Sequence, residues 1–399
     1  MVKIFTIMVL VLFCEVSSMK TKITTITPVH IGSGEQKKAF EYQKMGDDLF
    51  CYDLRDIFLE LPARKLIDPL FLRNLSKKSG VTRSQFNRQF RGVNYEKIRP
   101  IYQLKCKFDD NDTGVSVDEQ LKTLYKPIIP GSTLKGAIMN SILFDIVNTH
   151  FDEVCHIIEK SYKRPDAQSI IQGLYPGKYT MDHYSIFCNC FMCSDVTFDS
   201  MILLHQKRAN IENNKSLEKF LSDKECISPN QSVIGNYFSY NEASVARFKR
   251  MCQGTKMYQD LAIYFNQIIL IQVISNYFQT MLEEDIDSAR NFYFKDAFFE
   301  NLKKSKKPNS FYLRVGGSTN YFFKTVSYLI KKHDYSLYEK LFDIYFSPKS
   351  NGKRNDRNRV YKKKANDPKP EDMPVTRTIF MDDEDKYYPG VIKVEFLDV

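Results

Sequence analysis

The stretch Ile129-Pro130-Gly131-Ser132-Thr133-Leu134-Lys135-Gly136-Ala137 leaves the backbone few choices. Pro130 cannot donate to a sheet ladder and Gly131 allows a tight turn, so the apolar run before them must end there. The residues that follow, Leu134, Ile138, Ile142 and Ile146 with Met139 and Leu143, are apolar at helical spacing, and Ser132 or Thr133 is expected to cap the first turn. A strand therefore feeds directly into a helix. The unpaired N–H groups of such a helix start carry partial positive charge and Lys135 adds a full one, a combination suited to a phosphate. An ordinary strand-turn-helix junction reads the same way from so short a motif.

Two further junctions have similar chemistry. The β-rich run Lys22-Ile23-Thr24-Thr25-Ile26-Thr27 leads into Pro28-Val29-His30-Ile31-Gly32-Ser33-Gly34-Glu35 and is expected to empty into a turn at Gly32-Ser33-Gly34. Downstream, Phe311-Tyr312-Leu313-Arg314-Val315 runs into Gly316-Gly317-Ser318-Thr319, with Lys324 shortly after. Glycine lets a backbone approach a ligand closely. Three strand-to-Gly-Ser junctions, two with an Arg or Lys nearby, point to one polyanion passing over several backbone loops.

Charge agrees with that direction. The formal net charge is +10 and the pI about 8.9, which favours an acidic partner, and nucleic acid is the commonest soluble one. With 399 residues, 43% of them hydrophobic, the chain can bury a sizeable core and is expected to hold two domains. The first runs over 19–240 and carries a basic insertion that includes Arg64, Lys65, Lys77, Lys78, Arg83, Arg88, Arg91, Lys97 and Arg99. Such charge is either a solvated face or a track for a phosphate backbone. The second runs over 241–399; its apolar segment Ala262–Ile274 reads as a buried strand or helix, too short with its polar breaks to span a bilayer. Its basic loop, 350–366, fits a salt-dependent arm and equally a solvated linker. Phe292-Tyr293-Phe294 reads as core packing.

Residues 1–18 have the apolar length of a signal peptide, but Met19-Lys20 stands directly before the first strand. Met19 is therefore expected to be the working start of a cytoplasmic protein whose cysteines form no disulfides, and a secreted basic protein is the alternative. His183, Cys188, Cys190 and Cys193 include a Cys-x-x-Cys pair, but a second pair is missing, so no metal is expected. Cys188 and Cys190 are expected on one face of a strand, as small buried hydrophobes.

At His30-Ile31-Gly32-Ser33-Gly34, at Ile129 to Ala137, and at Leu313-Arg314-Val315-Gly316-Gly317-Ser318 with Lys324-Thr325, the chain resembles the RAMP proteins of CRISPR systems. Within that superfamily the order of these islands is most similar to the fifth, capping Csm subunit of type III-A effector complexes. Val81-Thr82-Arg83, Cys193-Ser194-Asp195 and the terminal Tyr387-Tyr388-Pro389-Gly390-Val391-Ile392-Lys393-Val394 add weaker support. The resemblance implies an α+β fold of two ferredoxin-like (RRM-like) domains with helical and basic insertions, and an RNA-binding role without catalysis or cofactor. It implies as partners the crRNA guide, the Csm backbone and small subunits and, at the guide 3′ end, trimming nucleases, with no membrane. The RNA contacts it implies are His30, Gly32, Ser33, Gly34, Gly131, Ser132, Thr133, Lys135, Gly136, Arg314, Gly316, Gly317, Ser318 and Lys324. Target-cutting backbone subunits carry Asp-Asn-Pro soon after the first glycine loop; here Glu35-Gln36-Lys37-Lys38-Ala39-Phe40-Glu41-Tyr42 stands instead. A repeat-cleaving endoribonuclease of the same superfamily, using His30, is the alternative enzyme.

Overall fold

Along β1 (Met19–Thr25), Thr21, Ile23 and Thr25 are buried while Lys22 and Thr24 are half-exposed, the period-two alternation of a strand packed on one face. β1 lies at the centre of a five-stranded antiparallel sheet. On one side it pairs with β13 (Ser232–Tyr240), Ile23 opposite Val233; on the other with β17 (Val391–Phe396), Ile23 opposite Val394. β14 (Ser310–Arg314) flanks β17, and β9 (Phe191–Cys193) flanks β13. The computed structural model describes residues 19–76, 90–108, 116–160, 166–210, 219–289, 296–304, 307–319, 322–346 and 376–397. The expected boundary at residue 240 does not divide this sheet, because strands from both sides of it are hydrogen-bonded to β1.

A second sheet joins β2 (Gly32–Lys38), β6 (Ser116–Gln120), β12 (Lys219–Ile227), β11 (Met201–Asn210), β5 (Tyr102–Lys105), β4 (Asp48–Cys51) and β3 (Tyr42–Met45) in that order. β15 (Thr376–Met381) also pairs with β11, and β16 (Lys386–Tyr387) with β15. Three short strands form a small sheet in the order β10 (Val196–Thr197), β8 (Lys126–Ile129) and β7 (Lys122–Thr123), and β8 leads the chain into helix Gly131–Thr149. Leu134, Ile138, Ile142 and Ile146 are buried on that helix as their spacing predicts. The segment Ala262–Ile274 turns out helical: a 3-10 turn, Ala262–Phe265, precedes helix Gln267–Ala289, which packs on helix Gly131–Thr149 and β14.

Among the described residues no single helix is long and apolar enough to cross a membrane; one pair, Lys256–Phe265 with Gln267–Ile286, reaches the required composition but is bent by 92°. The described part of the basic insertion forms short helices, Ala63–Leu66 and Pro69–Ser76, with Arg64 exposed. Lys77, Lys78, Val81-Thr82-Arg83, Arg88, Phe292-Tyr293-Phe294, the 350–366 loop and residues 1–18 lie outside the described residues.

Candidate nucleic-acid interface

His30 sits between β1 and β2, where the sequence predicts a glycine turn. That turn is different in form. Gly32 already opens β2, an edge strand, and the register against β6 slips between Gly32 and Gln36, so Ser33 and Gly34 form a bulge in the strand. Gly32 and Gly34 are exposed and Ser33 is half-buried. The His30 ring is 5% exposed, and its Nδ1 is 2.7 Å from the Glu225 carbonyl oxygen. A carbonyl only accepts, so Nδ1 carries the proton. Burial first, and the Lys224 charge second, lower the His30 pKa to about 4, so the ring is neutral at physiological pH.

Glu225, wholly buried on β12, organises this corner. Oε1 accepts from the hydroxyls of Tyr42 (2.8 Å) and Tyr102 (2.6 Å); Oε2 accepts from the Gln120 amide (3.0 Å) and from Lys122 (2.5 Å). A buried carboxylate with four donors is satisfied despite its desolvation. Gln120 in turn accepts from the Ile31 amide at 2.8 Å and donates to the Ile128 carbonyl at 3.0 Å, tying the first glycine segment to the strand that leads into Gly131.

The third loop closes on the first. The Gly317 amide donates to the His30 carbonyl at 3.1 Å, and Gly316 has φ +95°, in the left-handed region. Gly317 is exposed and Ser318 half-buried, its Oγ 3.4 Å from Gln206 Nε2. Arg314 is a correction to the expected RNA contacts. Its side chain is 1% exposed and Nη1 pairs with Asp285 at 2.7 Å, while Nε donates to the Pro389 carbonyl and the guanidinium lies over the Tyr388 ring. The guanidinium is sealed inside the fold by these partners and is not available to a phosphate. Lys324 is exposed, and partial desolvation first, with Arg314 second, holds its ammonium below the ordinary lysine value.

At the helix start the expected Ser132 or Thr133 cap is replaced. Pro130 is the N-cap residue and offers no side-chain acceptor; Asp195 Oδ1 instead accepts from the Gly131 amide at 2.8 Å. The Asp195 carboxylate thus occupies one of the donors expected to meet a phosphate. Gly131 is needed for packing, since a Cβ there would lie 2.0 Å from the Cys193 carbonyl oxygen. Ser132 and Gly136 are exposed one turn apart, Thr133 and Lys135 half-buried beside them, and nothing stands within 4 Å of a Cβ built on Gly136. This face of the helix is the part left open to a ligand. Asn140, on the same helix, donates to the Phe323 carbonyl at 3.0 Å, next to Lys324.

The structure therefore links the three loops as the sequence order suggests, but through residues the sequence did not single out: Gln120, Asn140 and Glu225. Asp195 stands out in the sequence only as part of Cys193-Ser194-Asp195. Nothing local marks Glu225, whose partners come from four separate strands and loops. Cys188 lies in helix Thr180–Asn189 and Cys190 caps it, so the two do not share a strand face as expected. Burial pushes the Cys190 and Cys193 thiols up to about 12, with Lys135 opposing. Among the described residues no group of three or more His, Cys, Asp or Glu is placed to hold a metal.

A family model described as the RAMP superfamily matches residues 22–387. A relative from Methanocaldococcus jannaschii, named CRISPR system Cms protein Csm5, is 22% identical over 395 residues, 96% of this chain and 90% of the relative. A chain in a cryo-EM structure of a Csm-crRNA-target RNA ternary complex of a type III-A CRISPR-Cas system matches with a TM-score of 0.63 and 12% identity, covering 94% of this chain and 100% of that one. The crystal structure of T. onnurineus Csm5 matches with a TM-score of 0.53 and 15% identity over 79% of this chain and 95% of that one. The fold is accordingly the tandem ferredoxin-like α+β arrangement of that superfamily. With the matched region, residues 22–387, containing all three glycine loops and most of the strands, the chain belongs to the RAMP superfamily.

Proposed function

We infer that the chain is a non-catalytic guide-RNA-binding subunit of a type III-A CRISPR (Csm) interference complex. It caps the end near the crRNA 3′ end and supports crRNA maturation in antiviral defence. The observation that carries this reading is the union of the three glycine loops: Gly317 bonded to His30, Ile31 joined through Gln120 to the strand before Gly131, and helix Gly131–Thr149 joined through Asn140 to the segment holding Lys324. Exposed positions at Gly32, Gly34, Gly136 and Gly317 let a single strand approach the backbone closely, and Ser132, Lys135 and Lys324 offer it a hydroxyl and two ammonium groups. The names of the relatives, and the crRNA in the complex whose chain this fold matches, support the same class.

A phosphate track reads shape and charge, not sequence, so target choice falls to base pairing by the guide. Its partners are the crRNA, the Csm backbone and small subunits and, at the guide 3′ end, trimming nucleases. His30 supports a binding role over cleavage: one ring nitrogen is committed to a backbone carbonyl, and general acid-base cleavage needs a second positioned group.

The test is RNA binding by the full chain across a salt series. Lys135→Ala with Lys324→Ala should weaken guide-RNA binding and flatten the log–log salt slope by about one unit per lost phosphate contact. An unchanged slope removes those two contacts. Co-purification of the tagged chain with short RNAs trimmed at one end and with other Csm subunits tests the assembly itself.

A further inference from the structure

The Glu225 carbonyl fixes His30 Nδ1 as the donor, which leaves Nε2 with a lone pair and no proton. Nε2 has no hydrogen-bond partner among the described residues, although the ring is 5% exposed. It is not sealed off either. His30 lines an open cleft of about 390 Å³ shared with Gly32, Gly34, Gln36, Asp118 and Lys224. Gly32 keeps the nitrogen uncovered: a Cβ there would lie 3.4 Å from Nε2, so any longer side chain would lie over it.

The cleft is rich in acceptors and poor in free positive charge. Lys224 is paired with Asp118 at 2.5 Å, and Glu35 and Glu119 line the same space. A phosphate, which offers only acceptors, is a poor match for Nε2. A hydroxyl or amino donor is a good one. On a strand passing over Gly32 and Gly34, the sugar donor that separates RNA from DNA is the ribose 2′-hydroxyl.

We propose that His30 Nε2 accepts a hydrogen bond from a ribose 2′-hydroxyl of the bound strand, making this cleft the point at which the chain prefers RNA to DNA. Gly32 is the positioning residue that keeps the acceptor open. The proposal rests on the guide-RNA reading above and adds to it a discriminating atom.

The experiment compares the full chain and two variants on one single-stranded RNA, its all-2′-deoxy counterpart and a set of RNAs with one 2′-deoxy position each, at fixed salt. His30→Phe keeps the ring volume and removes the acceptor. Gly32→Val leaves His30 and its bond to Glu225 intact and covers Nε2, so it remains informative if the Phe variant folds poorly. The expected result is that each variant loses about 3- to 10-fold in RNA affinity with DNA affinity unchanged, the size of one hydrogen bond. One 2′-deoxy position should reproduce the loss in the wild type and have no further effect in the variants.

Loss of phosphate contacts alone would lower RNA and DNA binding together, and an unchanged RNA-to-DNA ratio in both variants overturns the proposal while leaving RNA binding intact. If exchanging a base that carries an amino group for uracil reproduces the loss and no 2′-deoxy position does, the donor is the base and the proposal falls. Wild-type protein that binds neither strand overturns the guide-RNA reading itself, a distinguishable failure.

Discussion

Gly316 lies so close to His30 that a Cβ on it would stand 2.4 Å from the His30 carbonyl oxygen, the same oxygen that accepts from the Gly317 amide. The contact locks the loop after β14 onto the segment after β1, joining chain regions nearly three hundred residues apart, roughly the span of a large domain.

Gly316→Ala should separate these loops. The substitution adds the clash to a left-handed backbone that only glycine adopts without strain, so a destabilisation of about 2–4 kcal/mol is expected. Urea unfolding of the full chain measures it. Gly317→Ala, with nothing within 4 Å of its Cβ, is the matched control and should change stability little.

The two glycines of the opening helix should behave in opposite ways. Gly131→Ala forces the helix start off the Cys193 carbonyl and is expected to cost about 2 kcal/mol or more. Gly136→Ala fills open space inside a helix and should stabilise by about 1 kcal/mol. A bulky acidic replacement, Gly136→Glu, should leave folding intact and weaken RNA binding, because it places a like charge on the open face. Thermal melts and a binding titration on the same preparations separate the two effects.

Arg314→Met should act on folding, not on the salt slope. Removing the guanidinium takes the 2.7 Å partner from the buried Asp285 carboxylate, which keeps Arg377 Nε at 3.3 Å and the Tyr388 hydroxyl, so a loss of about 1–3 kcal/mol is expected. For whatever fraction remains folded, the log–log salt slope of RNA binding should equal that of the wild type. A slope lowered by about one unit would show that Arg314 does reach a phosphate.

His30 gives the protein an acid sensitivity of known sign. Its folded pKa of about 4 lies below the unfolded value of 6.5, so between those pH values the unfolded chain binds the additional proton and stability falls as pH falls. The full effect is about 3 kcal/mol, from 1.36 kcal/mol per pKa unit. Glu284, which burial pushes up to about 7, works in the opposite sense, gaining stability on acidification through that range. The measurement is therefore the difference between wild type and His30→Phe at each pH from 7.5 to about 4.5. The gap between them should change in favour of the variant as pH drops, and a constant gap would show that the ring is not held neutral.

The positions of the three glycine loops, the strand before Gly131, the helix after it and its buried face were all legible in the sequence, because each depends on residues within a few positions of one another. Side-chain fate was not. Arg314 beside a glycine loop looks like a phosphate contact until Asp285 and Tyr388 are seen to enclose it, and Ser132 looks like a cap until Asp195 is seen to supply one. Strand partners were not legible for the same reason: pairing between β1 and β17 joins segments far apart along the chain, and no local pattern encodes which strand will be a neighbour.

What the sequence determined by itself was where the backbone must turn and where it can come close to a polyanion, since Gly, Pro and apolar spacing act locally. What only the tertiary structure decided was which charges remain free and which atoms face solvent. Burial is set by partners distant along the chain, as Glu225 sets the His30 tautomer from 195 residues away and leaves one nitrogen open to the cleft.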